Sequence, residues 1–382
     1  MNKNKNKLWV FGIITLIALI ILVLITTKTN NEKTIKIGSI LAISGDAGSY
    51  GRSIQNAISL AIEEINKNGG IDGKQIILVS EDGKCNGKDS VTAIRKLIDV
   101  DKINIVIGGM CSGETIASAP IAEENKVILF SPASGAQEIT YLGDYIFRNM
   151  PSDSSSANKI AEVAIKNKNY KIAIIAENTD YGEALAKTFK NKFSSLNGQI
   201  ITDERINPDQ RDYSTNIKKV LSKNFDALYI ITQTEATLDL ILKELEINNF
   251  SGQIYGTEFS GTEKILINHK EISERTVYAI PYFDENNALA KKLLENLKLK
   301  YNEDSKSIPK SYLARAYDSV YILSEAIDYC GTDKDTECIK SYLYNIKDRE
   351  GASGKLTIDK NGDPIYEFEL KIIKDGKVED YN

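Results

Sequence analysis

The chain has 382 residues, 42% hydrophobic and 26% charged, with a formal net charge of −5. That length holds two domains of ordinary size, and the composition excludes a disordered, collagen-like or coiled-coil chain. Residues 1–28 take four of the 48 basic side chains and no acid, so the remainder sets 44 basic against 53 acidic groups, net −9. A net-acidic body is a poor partner for nucleic acid, and none is expected.

Residues 8–25 are an 18-residue apolar run interrupted only by Gly12 and Thr15. As a helix it would extend about 27 Å at ~1.5 Å per residue, close to the thickness of the hydrocarbon layer. Lys3, Lys5 and Lys7 precede it, and positive charge on that flank argues for a cytoplasmic N-terminus and an exported remainder. The run is longer than the apolar part of a cleaved signal, and Thr26-Thr27-Lys28-Thr29-Asn30 offers no A-x-A site. An uncleaved membrane anchor is therefore favoured over a signal for 1–28, with 29–33 as linker. No cysteine follows the run to take a lipid. The expected location is the extracytoplasmic face of the cell membrane, anchored or, after cleavage, exported.

From residue 34 the pattern alternates. Residues 34–43 read as a buried strand, followed by a glycine-rich loop through Gly51. Ile54, Ala57, Ile58, Ala61, Ile62 and Ile65 then recur at helical spacing, and Asn68-Gly69-Gly70 ends that helix. Strand 75–80, helix 91–98, strand 104–107, helix 114–124 and strand 127–130 continue the series. A second series follows Pro151: strands 171–176, 199–206, 227–232, 253–256 and 276–281, with helices 182–195, 213–222 and 237–247 between the first four. Repeated strand–helix–strand units mean parallel sheets flanked by helices, here in two lobes. Helices 288–301, 312–329 and 336–344 come next. Residues 354–363 and 365–373 read as two strands joined at Asn361-Gly362. Asp359, Asn361 and Asp363 fail the calcium-loop order, because Gly362 precedes Asp363, and serve as turn residues.

Four cysteines, Cys85, Cys111, Cys330 and Cys338, allow three pairings. The most local joins Cys85 to Cys111 and Cys330 to Cys338, and in an oxidising compartment the first would stabilise by about 3–4 kcal/mol. Their spacing, with His269 as the one histidine, matches no zinc site.

Catalytic signatures are missing. There is no phosphate loop of the G-x-x-x-x-G-K-[ST] type, no G-x-S-x-G and no H-E-x-x-H. A triad would need His269, which sits in the polar stretch Asn268-His269-Lys270-Glu271 and reads as solvated surface. No enzyme activity, cofactor or metal is expected. Ligand capture fits better. Small hydrogen-bonding residues crowd four strand ends, in Gly108–Glu114, Ser131–Gly135, Glu177–Gly182 and Thr257–Ser260, where parallel sheets bind ligands.

These segments resemble the type I periplasmic ligand-binding proteins, specifically the leucine/isoleucine/valine-binding branch that serves ABC importers. The likeness covers about 34–380. It is carried by IKIGSILAISGDAGSYGRSIQNAISLAIEEINKNGGIDGK, by IVIGGMCSGETIASAPIAEENKVILFSPASGAQEIT, by IAIIAENTDYGEALAKTF, and by YLARAYDSVYILSEAI with IDKNGDPIYEFEL. The resemblance implies a two-lobed α/β fold with three hinge crossovers, near 150–151, 280–281 and 351. Lobe one would be 34–150 plus 281–350, and lobe two 151–280 plus 351–382. It implies a lobe-one bridge at Cys85 and Cys111; Cys330–Cys338 rests on proximity alone.

For the ligand, the resemblance implies that Ser112 binds an α-carboxylate and that Ala133 and Ser134 supply a carbonyl and a hydroxyl. Tyr181 would close from lobe two, Glu258 would bind the α-ammonium, and Tyr50 would lie beside the ligand side chain. Two departures stand out. Ile231-Thr232-Gln233-Thr234 replaces an aromatic position. Glu114 either draws a polar or cationic ligand or sits in a first helical turn, where an acid suits the dipole; the second is favoured. The expected function is capture of an amino acid, branched-chain ones included, or a similar small solute by hinge closure, with an ABC permease and ATPase as partners. The alternative is an anchored sensing module of the same fold, disfavoured because seven residues precede the apolar run.

Overall fold

Buried Ile35, Ile37, Ile40 and Leu41 make the first strand a fully covered one, as a parallel sheet with helices on both faces requires. The computed structural model describes residues 34–303 and 308–381. Its first series is β1 (Thr34–Leu41), α1 (Gly48–Lys67), β2 (Gln75–Asp82), α2 (Gly87–Arg95), β3 (Ile105–Gly108), α3 (Ser112–Glu124), β4 (Ile128–Ser131) and β5 (Ile146–Arg148). The second is α4 (Ser154–Lys166), β6 (Lys171–Glu177), α5 (Asp180–Ser195), β7 (Gln199–Ile206), α6 (Ser214–Leu221), β8 (Ala227–Ile231), α7 (Glu235–Ile247), β9 (Gln253–Gly256), α8 (Glu263–Asn268), α9 (Lys270–Ser273) and β10 (Val277–Pro281). Then come α10 (Ala288–Tyr301), α11 (Lys310–Cys330), α12 (Thr336–Tyr344), β11 (Arg349–Gly351), β12 (Gly354–Leu356), β13 (Phe368–Lys374) and β14 (Lys377–Asp380).

The strands form two main sheets. The first is all parallel, in the order β2-β1-β3-β4-β5. The second runs β14-β13-β10-β9-β8-β6-β7; its five central and far strands are parallel, and β13 and β14 add antiparallel at the edge. Within each lobe the parallel strands share one order, so each has a switch point between its first and third strands. Loops diverge there and leave a crevice at the carboxyl ends. This is the two-lobed type I periplasmic-binding fold.

The chain leaves the first sheet after β5, leaves the second after β10, and re-enters it at β13. Tyr282 N donates to Glu367 O at 2.8 Å, tying the last two passages together. Residues 351–363, placed in lobe two on sequence, lie against lobe one. Ala352 N and Ser353 N reach the buried Asp318 carboxylate of α11, at 2.9 and 2.7 Å, and Asp363 pairs with Arg148.

Three details depart from the sequence reading. Strands 354–363 and 365–373 are not one hairpin: β12 pairs with β11 and β13 with β10 and β14, and only the Ile358–Pro364 bridge spans the turn. The Asp359 carboxylate accepts from Asn361 N and Asp363 N at 2.8 and 3.0 Å, which turns the chain, and Asp363 is drawn away to Arg148. α4 is a helix where no element was assigned; Ser154-Ser155-Ser156 masks its start, while Ala157, Ile160, Ala161 and Ala164 form the buried face. His269 is buried, not solvated: its ring nitrogens lie 3.1 Å from both Asp239 and Glu246, because the turn between α8 and α9 folds onto α7.

Both local disulfides are present, Cys85–Cys111 and Cys330–Cys338. The expected membrane helix at 8–25 lies outside the described residues, and among these no helix is long and apolar enough to cross a membrane.

The crossover region is held by a buried ion pair. Arg148 has a fully buried side chain, and its Nε and Nη2 donate to Asp363 at 2.6 and 2.8 Å. Truncating the acid leaves a buried guanidinium without its counter-ion, which costs about 3–5 kcal/mol. Asp363→Ala should lower unfolding free energy by that amount in urea titrations, whereas Lys355→Ala, whose ion-pair partners are exposed, should change it by under about 1 kcal/mol.

Candidate functional site

The two switch points face each other, and each presents a Tyr-Gly pair at the start of the helix that follows its lobe's first strand: Tyr50-Gly51 in α1 and Tyr181-Gly182 in α5. A side chain on Gly51 would run into the Ala42 carbonyl, and one on Gly182 into that of Glu177. Glycine therefore lets each helix seat tightly on the end of its strand, with the preceding tyrosine in the cleft. Tyr50 Oη accepts from Glu235 N of the opposite lobe at 2.8 Å, and its ring meets Phe259 at 5.5 Å.

The cleft walls are Tyr50, Ile54, Met110, Cys111, Ser112, Ala133, Tyr181, Gln233, Glu258, Phe259, Ile308 and Tyr312, around a cavity of about 50 Å³. That is well below the usual volume of a small-ligand site. Five of the six ligand residues expected from sequence line it. Ser134 lies behind: its hydroxyl is 2.9 Å from Gly109 O, 3.2 Å from Met110 O and 2.8 Å from Thr115 Oγ1.

One end of the cleft offers donors. Ser112 Oγ accepts from Ala136 N at 3.2 Å, which leaves its own proton free for an acceptor in the cleft. Ser112 and Gly113 open α3, so their N–H groups have no intrahelical acceptor. The loop that sets them is held from beneath by Glu114, whose carboxylate accepts from Met110 N, Cys111 N and Cys85 N, each at 2.9 Å. Glu114 is fully buried and outside the cleft wall; its role is to pin the disulfide loop. Burial pushes its carboxyl up to about 7 against the pull of those three N–H groups.

The other end offers acceptors. Glu258 Oε1 accepts from Tyr312 Oη at 2.6 Å and Oε2 from Tyr181 Oη at 3.4 Å. No donor among the described residues reaches the Ala133 carbonyl. Beside Glu258 lies a second acid, Asp153, 4% exposed and with no partner for Oδ2. Burial raises the Asp153 carboxyl well above its ordinary range and the Glu258 charge raises it further, with Arg148 opposing. Burial likewise raises Glu258, opposed by the Tyr312 and Tyr181 hydroxyls. Two buried carboxylates thus share a region; among the described residues Arg148 opposes the shift of Asp153, and that guanidinium is spent on Asp363, Thr140 and the Ala136 carbonyl. Such a region attracts a positive group.

A family model described as periplasmic binding protein matches residues 34–371. The chain belongs to the periplasmic binding protein family. That makes it a solute-binding receptor. Among curated relatives, a Leu/Ile/Val-binding protein homolog of Brucella melitensis is 27% identical over 90% of this chain and 92% of its own. A leucine-, isoleucine-, valine-, threonine- and alanine-binding protein of Pseudomonas aeruginosa is 26% identical over 86% and 87%. A leucine-binding protein from Thermotoga maritima superposes with a TM-score of 0.81 at 28% identity, covering 91% of this chain and 98% of that one. An isoleucine complex of a branched-chain amino acid transporter substrate-binding protein from Streptococcus pneumoniae gives 0.79 at 29%, with the same coverage.

Sequence reasoning did not select Asp153, Tyr312 or Gln233 as site residues of this periplasmic binding protein. Tyr312 was noticed only as part of a helical stripe. Asp153 sits in a Ser-rich crossover whose burial no local pattern betrays.

The buried acids give the fold a pH signature. Glu177 is also 1% exposed, and burial pushes it up to about 7. An acid whose folded-state pKa lies above the unfolded 4.5 contributes stability that is complete below 4.5 and is lost as pH rises through about 7. The melting temperature should therefore fall between about pH 5 and pH 8, and Glu177→Gln should flatten the slope. A melting temperature rising across that window would contradict the assignment.

Proposed function

We propose that this receptor captures an α-amino acid outside the cell for an ABC importer, closing its two lobes around the zwitterion. The ligand's carboxylate would lie on the Ser112 hydroxyl and the first-turn N–H groups of α3, where the dipole favours an anion. Its ammonium would lie between Glu258 and the Ala133 carbonyl, with Tyr181 and Tyr312 closing over it and Tyr50 beside the side chain. The observation that carries this reading is the buried pair Glu258 and Asp153 with no free cation beside it among the described residues, opposite a helix start with unused donors. An ammonium and a carboxylate on one small molecule satisfy both ends at once. The relatives' binding of leucine, isoleucine and valine supports the same class.

Permease and ATPase subunits are the partners this role requires. The lysine-flanked apolar run at 8–25 would tether the receptor beside them, and the net-acidic body would stand outside the membrane.

Closure strengthens binding only through contacts the open form lacks, and Glu258, carried on lobe two, is the charged one. Calorimetric titration of the full-length chain in mild detergent should find at least one α-amino acid binding at micromolar Kd or tighter. Glu258→Gln should weaken that binding roughly 30-fold, about 2 kcal/mol. An unchanged affinity would remove the ammonium role from Glu258.

A further inference from the structure

The side-chain end of the cleft is walled by Tyr50, Ile54, Phe259 and Ile308, which would suit an aliphatic group. Gln233 breaks that wall. It follows β8 at the second lobe's switch point and reaches across to lobe one, where Nε2 donates to Cys85 Sγ. Its backbone N–H donates to Glu177 Oε2 at 3.0 Å. With both of these settled, the amide oxygen of Gln233 has no donor among the described residues. Close by, Glu177, whose other oxygen takes the Gln233 N–H, has a buried Oε1 that also lacks a donor.

Resting on the amino-acid reading above, we propose that Gln233 selects a ligand whose side chain ends in a hydrogen-bond donor — an amide, a hydroxyl or a protonated amine — over a branched aliphatic one. A leucine, isoleucine or valine side chain closed against Gln233 would strip water from the amide oxygen and return no donor, a cost of roughly tenfold in affinity. A donor at the end of a short aliphatic stem recovers that loss, while its methylenes keep contact with Ile54, Phe259 and Ile308. A site with a fixed hydrogen-bonding group rejects the analogue that lacks the matching atom more strongly than an apolar pocket rejects a wrong shape. A carboxylate side chain could meet the second Nε2–H of Gln233, but it gives the amide oxygen no donor and brings negative charge toward the buried Glu177, so it is disfavoured too.

Calorimetric titration of the full-length chain with L-glutamine, L-threonine, L-lysine, L-leucine, L-isoleucine, L-valine and L-glutamate separates the possibilities. We expect at least one of the first three to bind at least tenfold tighter than any branched-chain ligand and than glutamate. Gln233→Leu, or Gln233→Met as a variant of matching length, should cut that preference at least tenfold through weaker donor binding. Branched-chain binding that equals or exceeds donor binding in the unaltered protein overturns the inference and leaves the amino-acid reading intact. A preference unchanged in both folded variants also overturns it. No binding by any of the seven overturns the amino-acid reading and this inference with it.

Discussion

Negative charge buried without a cation is the constraint around which the cleft is organised. Asp153 and Glu258 both lie under 9% exposed, and the fields of both reach the hydroxyls of Tyr181, Tyr229 and Tyr312. A protein that needed these acids only for stability would place a lysine or arginine between them. Here the available guanidinium is turned away: Arg148 faces Asp363 and the loop carbonyls. The imbalance is tolerable in a fold that opens, because Glu258 stands on lobe two and regains water when the lobes part. It is resolved in the closed form by a proton or by a ligand cation.

The opposite end of the cleft is built for rigidity. The Cys85–Cys111 disulfide, the Glu114 carboxylate with its three N–H donors, and the Gly109 carbonyl with hydroxyls of Ser131 and Ser134 at 2.7 and 2.9 Å lock the loops that carry Ser112 and Ala133. Preorganised donors lose little entropy on binding. Polar contacts between the lobes are specific: Tyr50 to Glu235 N, Tyr312 to Glu258, Gln233 to the disulfide, Arg211 to Asp46, Thr188 to Gln137 and Lys187 to Glu138. Apolar side chains of both lobes, Tyr50 and Phe259 among them, also meet in one buried cluster, so parting the halves exposes apolar surface as well as hydrogen-bonding groups.

Much of this was visible in the sequence, for physical reasons. Strands buried on both faces and helices with an apolar stripe announce themselves through periodicity, and Ile54 to Ile62 of α1 is the plainest case. Tyr50 and Tyr181 came from the resemblance alone; the sequence put Gly51 in a loop, whereas it lies in the first turn of α1 against the Ala42 carbonyl. What was hidden depends on three-dimensional neighbours. β5 is three residues long, α4 begins in serines, and β13 pairs with strands far from its apparent hairpin partner. His269 looked solvated in a polar stretch because its burying surface, Asp239 and Glu246 on α7, lies more than 20 positions away. Glu114 left two readings open, and only the three N–H groups converging on it decide for the loop. Asp153 and Tyr312 gain meaning only from their shared closeness to Glu258.

The division of labour between the lobes has a mechanistic consequence on the proposed reading. Lobe one contributes neutral groups: a hydroxyl, helix-start N–H groups and a carbonyl. None changes its hydration cost much with the state of the hinge. Lobe two contributes the charge. A ligand held by lobe one alone therefore gains hydrogen bonds but no compensating carboxylate for its ammonium, and that missing interaction becomes available only when Glu258 swings in. Closure without ligand, in turn, buries Glu258 beside Asp153, and a proton then offsets what the Arg148 field does not. The hinge equilibrium is thus set by a competition between a proton and an ammonium for one buried anionic site, and the ammonium wins where the pH leaves few protons to bind and the ligand's carboxylate is already seated on Ser112.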